Sequence, residues 1–346
     1  MSHTYATDLT RSALEAWIEA QGWPAYRARQ VWQWLYQHGV ADTEAMTNVP
    51  KAMRAQLAEA LHLVSSRVAD IHTSRDGTEK AVIELDDGET VESVWIPMGS
   101  HATVCVSTQV GCPVQCVFCA SGADGLVRNL RAGEIVEQVW HWCRLHARDA
   151  VNNLVFMGMG EPMLNMAHLL TAAEILNDDH GLNIGARRMT ISTAGVVKGI
   201  DKLAQVRSQI QLAVSLHAPT DSLRRQLIMH CPSRIGELLA ALKRYFDATH
   251  RRVTFEYVLL KGINDSPDQA RRLASIAHEL PSKVNVIAYN PVPGLPYAAP
   301  EDDAVTKFAD VLYAEHVAVA VRRKKGDDIS AACGQLRRSR PPASRI

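Results

Sequence analysis

Four of the seven cysteines in this 346-residue chain lie within one short stretch, CVSTQVGCPVQCVFC. They are Cys105, Cys112, Cys116 and Cys119, and the last three have the spacing C-x3-C-x2-C. Thiols this close in sequence can act together as ligands, because the thiolate form of cysteine binds metal ions. Cys105 lies seven residues before the group and stands apart from it. We therefore expect a metal centre on the last three cysteines.

Three thiols suit an iron–sulfur cluster better than a zinc ion. A structural zinc site takes four protein ligands, often from two separated C-x2-C pairs, and no second pair occurs in the sequence. Cys143 falls on the apolar face of a predicted helix, and Cys231 precedes a proline with no other thiol close in sequence. Iron–sulfur clusters usually take four cysteines, so a cluster on three would leave one iron open to a small-molecule ligand. Zinc binding and burial in a core remain the alternatives.

The elements that position these residues follow an alternating pattern of short β-rich runs and amphipathic helical runs. The predicted strands are 103–108, 153–158, 188–193, 211–216, 253–260 and 283–290, with a further strand-like run at 317–322. The predicted helices between them include 130–147, 166–178, 221–228, 235–249 and 266–279. Apolar strands separated by helices are typical of a parallel sheet covered on both faces. Six such units predict an α/β fold, a partial (β/α)6 barrel.

Polar and glycine-rich residues follow the C-terminal ends of these predicted strands, where β/α barrels carry their chemistry. The first strand leads into the cysteine loop, and the second leads into GMGEP (158–162). The third ends at STAG (192–195), the fourth at SLH (215–217) and the sixth at Asn290. Glycines allow a ligand to approach the backbone closely. We expect one small molecule to bind at this shared rim, and a tight strand–helix turn is the alternative explanation of GMGEP.

The two ends of the chain differ from the middle. Residues 1–75 are predicted to form a small accessory helical domain with its own core, because four of the seven tryptophans lie in the first 34 residues. Residues 76–97 are predicted as linking strands, 98–325 as the core barrel, and 326–346 as a C-terminal loop and basic tail. From 321 to 346 there are eight basic residues and two acidic ones, in a chain of zero net charge. Such a tail either attracts RNA phosphates or is a solvated end.

The chain is expected to be cytoplasmic, with no membrane partner. Its first twenty residues lack the basic start and apolar run of a signal peptide. No apolar run reaches the length that spans a membrane. Thiols stay reduced in the cytosol, which agrees with cysteines that serve as ligands, and an odd number of cysteines fits a disulfide framework poorly.

The spacing of Cys112, Cys116 and Cys119, with Phe118 before the last, resembles the signature of the radical S-adenosylmethionine (SAM) superfamily. Several longer stretches resemble the RlmN/Cfr family within it, whose members methylate an adenine carbon in RNA. These stretches are VESVWIP (91–97), CVSTQVGCPVQCVFC (105–119), RNLRAGEIVEQV (128–139), GMGEPMLN (158–165), ISTAGVV (191–197), SLHAPTD (215–221), YNPVPG (289–294) and KGDDISAACGQL (325–336). The N-terminal YRARQVWQWLY also resembles the small accessory domain of that family.

The resemblance implies a specific site. A [4Fe–4S] cluster would sit on Cys112, Cys116 and Cys119, and SAM would chelate its open iron through the amino and carboxylate groups. SAM contacts are implied at Gly160, Glu161, Ser192, Ser215, Leu216, His217 and Asn290. Catalytic roles are implied for Cys105, for Cys333 in the C-terminal loop, and for Glu92 as an acid or base. From the sequence alone, Glu92 would be a surface carboxylate and Cys105 a core thiol.

The resemblance also implies why thiols are needed outside the cluster. Adenine C2 and C8 are electron-poor carbons and poor nucleophiles, so a radical route is required. One SAM methylates the Cys333 thiolate, and a radical cleaved from a second SAM takes a hydrogen from that methyl group. The resulting methylene adds to an adenine that has been flipped out of its stack. Loss of the ring proton and attack of Cys105 on the Cys333 sulfur then release the base, leaving a disulfide that a thiol must reduce.

The implied substrate is 23S ribosomal RNA, transfer RNA or both, with C2 as the favoured position and Cfr-like C8 specificity as the alternative. The implied partners are a one-electron donor such as flavodoxin and a thiol reductant. Two other classes of protein stay open. One is a radical SAM enzyme acting on a peptide or small molecule, which would need neither the helical domain nor a basic tail carrying Cys333. The other is a metal-binding interaction protein without catalysis.

Overall fold

The computed structural model describes residues 4–322 and 324–338, and in those residues there are ten α-helices and twelve β-strands. The helices are α1 (Arg11–Ala20), α2 (Tyr26–Tyr36), α3 (Lys51–Ala60), α4 (Ala132–Leu145), α5 (Met166–Asn177), α6 (Val197–Gln205), α7 (Asp221–Leu227), α8 (Ile235–Thr249), α9 (Pro267–Ala277) and α10 (Asp302–Ala314). The strands are β1 (Arg67–Thr73), β2 (Glu79–Glu84), β3 (Thr90–Met98), β4 (His101–Cys105), β5 (Gln109–Gly111), β6 (Leu126–Asn129), β7 (Val151–Phe156), β8 (Met189–Thr193), β9 (Gln211–Ser215), β10 (Val253–Leu259), β11 (Ser282–Ala288) and β12 (Val319–Arg322). No helix in these residues is long and apolar enough to cross a membrane.

Ten of the strands form one sheet, in the order β1-β2-β3-β4-β7-β8-β9-β10-β11-β12. Strands β1 to β4 pair antiparallel, and each pairing from β4 to β12 is parallel. Strands β5 and β6 form a separate antiparallel pair. In the described part of the chain β1 and β12 do not pair with each other, so the barrel stays open. The predicted α/β fold, a partial barrel preceded by helices, is confirmed.

Strand β10 is buried on both faces, and its sequence permits this. Its Val253, Phe255 and Tyr257 are buried, and so is Glu256, which points to the opposite face. A strand that is covered on both sides needs an apolar or a paired side chain at each position. Glu256 meets this need, because its carboxylate accepts a hydrogen bond from Asn285 on β11 at 2.8 Å.

Helix α9 begins where the sequence predicts. Ser266 Oγ accepts a hydrogen bond from the Gln269 N–H at 3.3 Å, and the Gln269 side chain accepts one from the Ser266 N–H at 3.0 Å. This capping box satisfies amides that a helix N-terminus leaves unpaired. Pro267 at the first helical position has no amide to satisfy. The observed helix therefore lies inside the predicted range 266–279.

The N-terminal helices share the core of the barrel. Trp32 of α2 belongs to the same buried cluster as Trp140 of α4. The Trp140 indole donates a hydrogen bond to the carbonyl of Leu35 at 2.8 Å, and the Thr7 hydroxyl donates one to the buried Glu137 carboxylate at 2.6 Å. The expectation of a separate core is wrong, because a unit of about 60 residues buries little surface alone and its buried side chains belong to one cluster with those of α4.

Some elements differ from the expectation. Strand β1 lies within residues 1–75, the predicted helical domain, yet it pairs with β2 in the main sheet. Its residues are mostly polar and exposed, as is typical of an edge strand. Helices α6 and α10 have no predicted counterpart. Helix α6 has only nine residues and includes Gly199, which weakens its helical pattern. The division of the chain at residue 75 stays a prediction.

Candidate active site

Cys112, Cys116 and Cys119 lie together on the loop that follows β5. The Cys112 N–H donates to the carbonyl of Gly125 at 2.9 Å, and the Cys119 N–H donates to that of Cys116 at 3.0 Å. Mainly through burial, the pKa of the Cys112 thiol rises to about 12. Burial also raises the pKa of Cys116, and the charges of the other two cysteines raise it further. Thiolates that repel one another in this way are stable as a group only around a cation.

This donor set fits an iron–sulfur cluster. Within residues 4–322 and 324–338, no group of three His, Cys, Asp or Glu side chains is arranged to hold a single metal ion. In a four-iron cluster each thiolate binds a different iron, so the sulfur atoms stand further apart than the ligands of one ion. Val114, Phe118 and Ile228 form part of a buried apolar cluster against which the three cysteines pack. Such apolar surroundings limit solvent access to a cluster, which tunes its reduction potential.

The GMGEP turn after β7 packs tightly against the chain that leads into the cysteine loop. A Cβ added to Gly158 would lie 2.7 Å from Ser107 Oγ. One added to Gly160 would lie 2.6 Å from the Cβ of Gln109, and Gly160 also has a positive φ of 103°. Side chains at these two positions would push the turn away from β5. The glycines therefore hold the rim of the second parallel strand against the cysteine loop.

Glu161 connects this turn to the next strand end. Its carboxylate accepts amide hydrogens from Met163 at 3.0 Å and from Ala194 at 2.7 Å. Burial raises the pKa of Glu161 to about 7, against the lowering effect of these hydrogen bonds. Each carboxylate oxygen has a second lone pair, with which it can accept a hydrogen bond from the amino group of a bound ligand.

The ends of β8 and β9 add polar groups beside this turn. The hydroxyls of Ser192 and Ser215 are 3.3 Å apart. Leu216 is fully buried, so it can offer a ligand only its backbone. His217 has a positive φ of 56°, and its Nδ1 accepts the amide hydrogen of Val258 at 3.1 Å. Because burial lowers the pKa of His217 to about 3, the ring is neutral and Nε2 is left as its donor.

Asn290 offers a polar atom without a partner. It follows β11, and its Nδ2 donates a hydrogen bond to the carbonyl of Cys333 at 3.2 Å. Its Oδ1 is buried and has no hydrogen-bond partner in the described part of the chain. A buried polar atom left unsatisfied costs about 1–3 kcal/mol. A donor on a bound molecule would remove this cost, which agrees with a contact between Asn290 and SAM.

Hydrogen bonds hold the C-terminal loop against the cysteine loop. The Ala120 N–H donates to the carbonyl of Gly334, and the Ser121 hydroxyl donates to that of Leu336, both at 2.7 Å. Cys333 is an exposed residue, but the protein around its sulfur desolvates the thiol and raises its pKa. These hydrogen bonds place Cys333 beside the cysteine loop.

Cys105 is the last residue of β4 and lies at the end of the sheet where Cys333 is found. Its side chain is buried, and burial raises its pKa. A negative charge on Cys333 raises the pKa of Cys105 further, so the two sulfur atoms are within electrostatic reach of each other. Both cysteines are free thiols. The fold therefore brings within electrostatic reach of each other the two thiols to which the resemblance gave catalytic roles.

Two family profiles match this chain. The profile described as ribosomal RNA large subunit methyltransferase N-terminal domain matches residues 6–63, and that of the radical SAM superfamily matches residues 106–274. A Rhodopirellula baltica protein named probable dual-specificity RNA methyltransferase RlmN is 46% identical over 329 residues, which cover 94% of this chain and 89% of that protein. The chain belongs to the RlmN family. A dual-specificity RNA methyltransferase RlmN of Halorhodospira halophila is 44% identical over 331 residues, covering 95% and 92% of the two chains.

A solved structure agrees with this assignment. The crystal structure of a radical SAM methyltransferase from Sphaerobacter thermophilus has a TM-score of 0.93 and 45% sequence identity with this chain. The match covers 96% of this chain and 99% of the other. Radical SAM proteins use a four-iron cluster and SAM, so the cofactors expected from the cysteine spacing are confirmed at the level of the superfamily.

In this RlmN-family chain Glu92 is buried, not at the surface. One carboxylate oxygen lies 3.1 Å from the ammonium group of Lys80, and the other accepts the Arg337 N–H at 2.8 Å. Burial raises the pKa of Glu92, while Lys80 and the Arg337 amide lower it. Sequence reasoning missed Lys80 as a partner, because a charged residue on a short strand shows no sign of burial until the fold is known.

Arg224 is a second buried residue of this RlmN-family site that the sequence did not indicate. Its guanidinium donates to the carbonyls of Ala194 and Ser233, the latter at 2.7 Å, and lies 2.8 Å from the sulfur of Cys231. Its positive charge lowers the pKa of Cys116. Cys231 is therefore the partner of a guanidinium group. Arg224 links the end of β8, through Ala194, to the segment that contains Cys231 and Ser233.

The described part of the basic tail is held by carboxylates. Arg338 forms an ion pair with Glu89, and Arg337 lies 3.6 Å from Asp124. These contacts anchor the segment that follows Cys333 to β3 and to the cysteine loop. Three further basic residues of the tail lie outside the described residues, namely Arg323, Arg340 and Arg345. A role of the tail in holding RNA stays a prediction.

Proposed function

We propose that this chain methylates an adenine carbon of RNA, with C2 as the position, by way of a methyl group carried on Cys333. The observation that supports the proposal most is the placement of Cys333. Its carbonyl accepts a hydrogen bond from Asn290 at 3.2 Å, and its charge acts on Cys105. Cys333 is an exposed residue of the C-terminal loop. Relatives that span nearly the whole chain are named dual-specificity RNA methyltransferases.

The carrier role uses the accessibility of Cys333. When bound, the cluster and SAM supply the methyl group and the radical that abstracts a hydrogen from it. Cys333 receives the methyl group as a thiolate, the nucleophilic form of cysteine, and holds the resulting carbon on its sulfur. Because Cys333 is an exposed residue on its loop, a flipped adenine can approach that carbon. Bond formation joins the protein to the RNA through Cys333.

Release of the product uses two groups that the fold places beside the loop. Glu92 accepts the proton from the adenine ring, since its carboxylate is directed at the C-terminal loop through the Arg337 amide. Cys105 then attacks the sulfur of Cys333, which breaks the bond between sulfur and carbon and leaves a disulfide. The released carbon takes up a proton to become the methyl group, and the unpaired electron of the adduct passes to a one-electron acceptor. A thiol reductant must reopen that disulfide before the next turnover.

The proposal also covers the substrates and the partners of the reaction. The substrates are 23S ribosomal RNA and transfer RNA, and the N-terminal unit within residues 1–75 docks them. The match of residues 6–63 to a ribosomal RNA methyltransferase N-terminal domain supports this role. A one-electron donor such as flavodoxin reduces the cluster. We place the reaction in the cytoplasm, where thiols are kept reduced.

Mass spectrometry of nucleosides from 23S ribosomal RNA and transfer RNA tests the proposal. Cells with the gene should contain 2-methyladenosine in one or both RNAs, and cells without it should not. Cys333→Ala should fail to restore the nucleoside. Cys143→Ala is the matched control and should restore it, because its thiol packs against the main core. An unchanged nucleoside content would overturn the function, and 8-methyladenosine in its place would overturn the position.

A further inference from the structure

Lys80 lies beside Glu92 inside the protein. Glu92 is opposite Val82 on the antiparallel pair β2–β3, and Lys80 is two residues from Val82, so both charged side chains lie on one face. Lys80 Nζ is 3.1 Å from Glu92 Oε1, and the two side chains are only 9% and 6% exposed. Burying two charges costs desolvation energy that a surface pair avoids. A buried ion pair at this place therefore indicates a function beyond stability.

The pair also contacts the C-terminal loop. The Lys80 ammonium group donates a hydrogen bond to the carbonyl of Ser330 at 3.3 Å. The second oxygen of Glu92 accepts the Arg337 N–H at 2.8 Å. Ser330 and Arg337 flank Cys333 in the sequence. The ion pair thus holds the loop on both sides of the thiol.

We propose that Lys80 is a positioning residue for carbon methylation, whose ammonium group keeps the Glu92 carboxylate ionised and directed at the Cys333 loop. This inference rests on the proposed function of Glu92 as the acceptor of the adenine ring proton. A carboxylate that is isolated from water holds its proton more tightly. An adjacent cation restores the ionised form that can act as a base.

The groups that face Glu92 support this role. They are Lys80 from β2, His72 from β1 and the Arg337 amide from the C-terminal loop. Lys80 is the cation in direct contact, and His72 lies on the exposed edge strand. Burial raises the pKa of Glu92, and Lys80 opposes that rise. Without Lys80 the Glu92 carboxyl group would stay protonated up to a higher pH. The acid limb of the pH–rate profile, where the rate rises as Glu92 loses its proton, would therefore move to higher pH.

The test is a single turnover of the full-length, cluster-loaded protein whose Cys333 is already methylated. It is measured with SAM, a reductant and transcribed 23S ribosomal RNA across the pH range in which the protein is stable. For each unit by which the pKa of Glu92 rises in Lys80→Gln, the rate on the acid limb should fall about tenfold. The rate should recover at higher pH. Methylation of Cys333 itself, followed by mass spectrometry of the intact protein, should be unchanged.

Two variants serve as controls. Lys80→Arg keeps the positive charge, so its acid limb should coincide with that of the wild-type protein. Lys243→Gln removes an exposed Lys–Glu pair, that of Lys243 and Glu279 at 2.7 Å, and should leave the profile unchanged. If Lys80→Gln fails to retain its cluster, Lys80→Met is used in its place. Methionine fills similar space and has no side-chain amide that needs hydrogen-bond partners.

The outcomes separate this inference from the function on which it rests. A rate that falls by the same factor at every pH would make Lys80 a structural clamp only and overturn the inference. If Glu92→Gln turns over at the wild-type rate, the proposed function of Glu92 fails, whatever Lys80 does. If Glu92→Gln is inactive and Lys80→Gln keeps the wild-type acid limb, only the inference about Lys80 fails.

Discussion

Gly111 shows how the backbone shapes the cysteine loop. It has a φ of +76°, and a Cβ added there would lie 2.0 Å from the carbonyl oxygen of Gly125. Gly88 has a similar φ of +80°, but an added Cβ there has nothing within 4 Å. Alanine would therefore meet the same backbone strain at both positions. Only Gly111→Ala would add a collision with the backbone, and that collision lies next to Cys112, which we propose as a ligand.

The expected losses of unfolding free energy follow from the backbone strain and from the collision. An L-residue in the left-handed region costs about 1–2 kcal/mol, and alanine recovers about 0.4–1 kcal/mol by restricting the unfolded chain. Gly88→Ala should therefore lower the free energy of unfolding by about 1 kcal/mol. Overpacking adds about 1–3 kcal/mol, so Gly111→Ala should lower it by about 2–4 kcal/mol.

Urea unfolding of the cluster-free protein measures both free energies. Iron analysis after anaerobic reconstitution measures the effect on the cluster. Gly111→Ala should lose most of its iron, because the displaced hairpin carries Cys112 with it, and Gly88→Ala should keep its iron. Equal stability and equal iron content in the two variants would refute the argument that the contact between Gly111 and Gly125 shapes the loop.

Three further outcomes test the site. Cys116→Ala should lose the absorbance of the reconstituted cluster and Cys143→Ala should keep it; full iron in the first variant would remove Cys116 from the ligands. Cluster assembly, followed by anaerobic titration, should be more complete at higher pH, because buried thiols such as Cys112, with a pKa raised to about 12, must release protons to bind iron. Assembly that does not vary with pH would contradict this. Asn290→Ala should weaken SAM binding about tenfold, since a hydrogen bond worth about 1–1.5 kcal/mol is lost, and an unchanged dissociation constant in calorimetry would place Asn290 outside the SAM site.

The parallel strands and the cysteine loop could be predicted because both depend on local signals. An apolar run predicted the strand at 253–260, and the structure has it at Val253–Leu259. The helix predicted at 266–279 is likewise observed, as α9 at Pro267–Ala277. The spacing of the three cysteines predicted a metal centre, because ligands on one loop must be close in sequence.

The supporting contacts of Glu92 could not be predicted because they join distant parts of the chain. Lys80 and Arg337 meet Glu92 only after the C-terminal loop folds back on β2 and β3. Cys105 and Cys333 carry no local signal either, since a lone cysteine looks like any core or surface thiol. Their importance was implied by the resemblance to a family, and the fold brings them within electrostatic reach.

The central claim is that Cys333 carries the new carbon to the RNA and that Cys105 releases it. The most direct measurement is the product of Cys105→Ala, incubated with SAM, a reductant and substrate RNA, then run on a denaturing gel and mapped by mass spectrometry. If Cys105 acts only in release, this variant should form a protein–RNA adduct that survives denaturation and is linked through the Cys333 sulfur. The adduct should be absent when Cys333→Ala is added. Normal release of methylated RNA by Cys105→Ala, or an adduct linked at another residue, would contradict it.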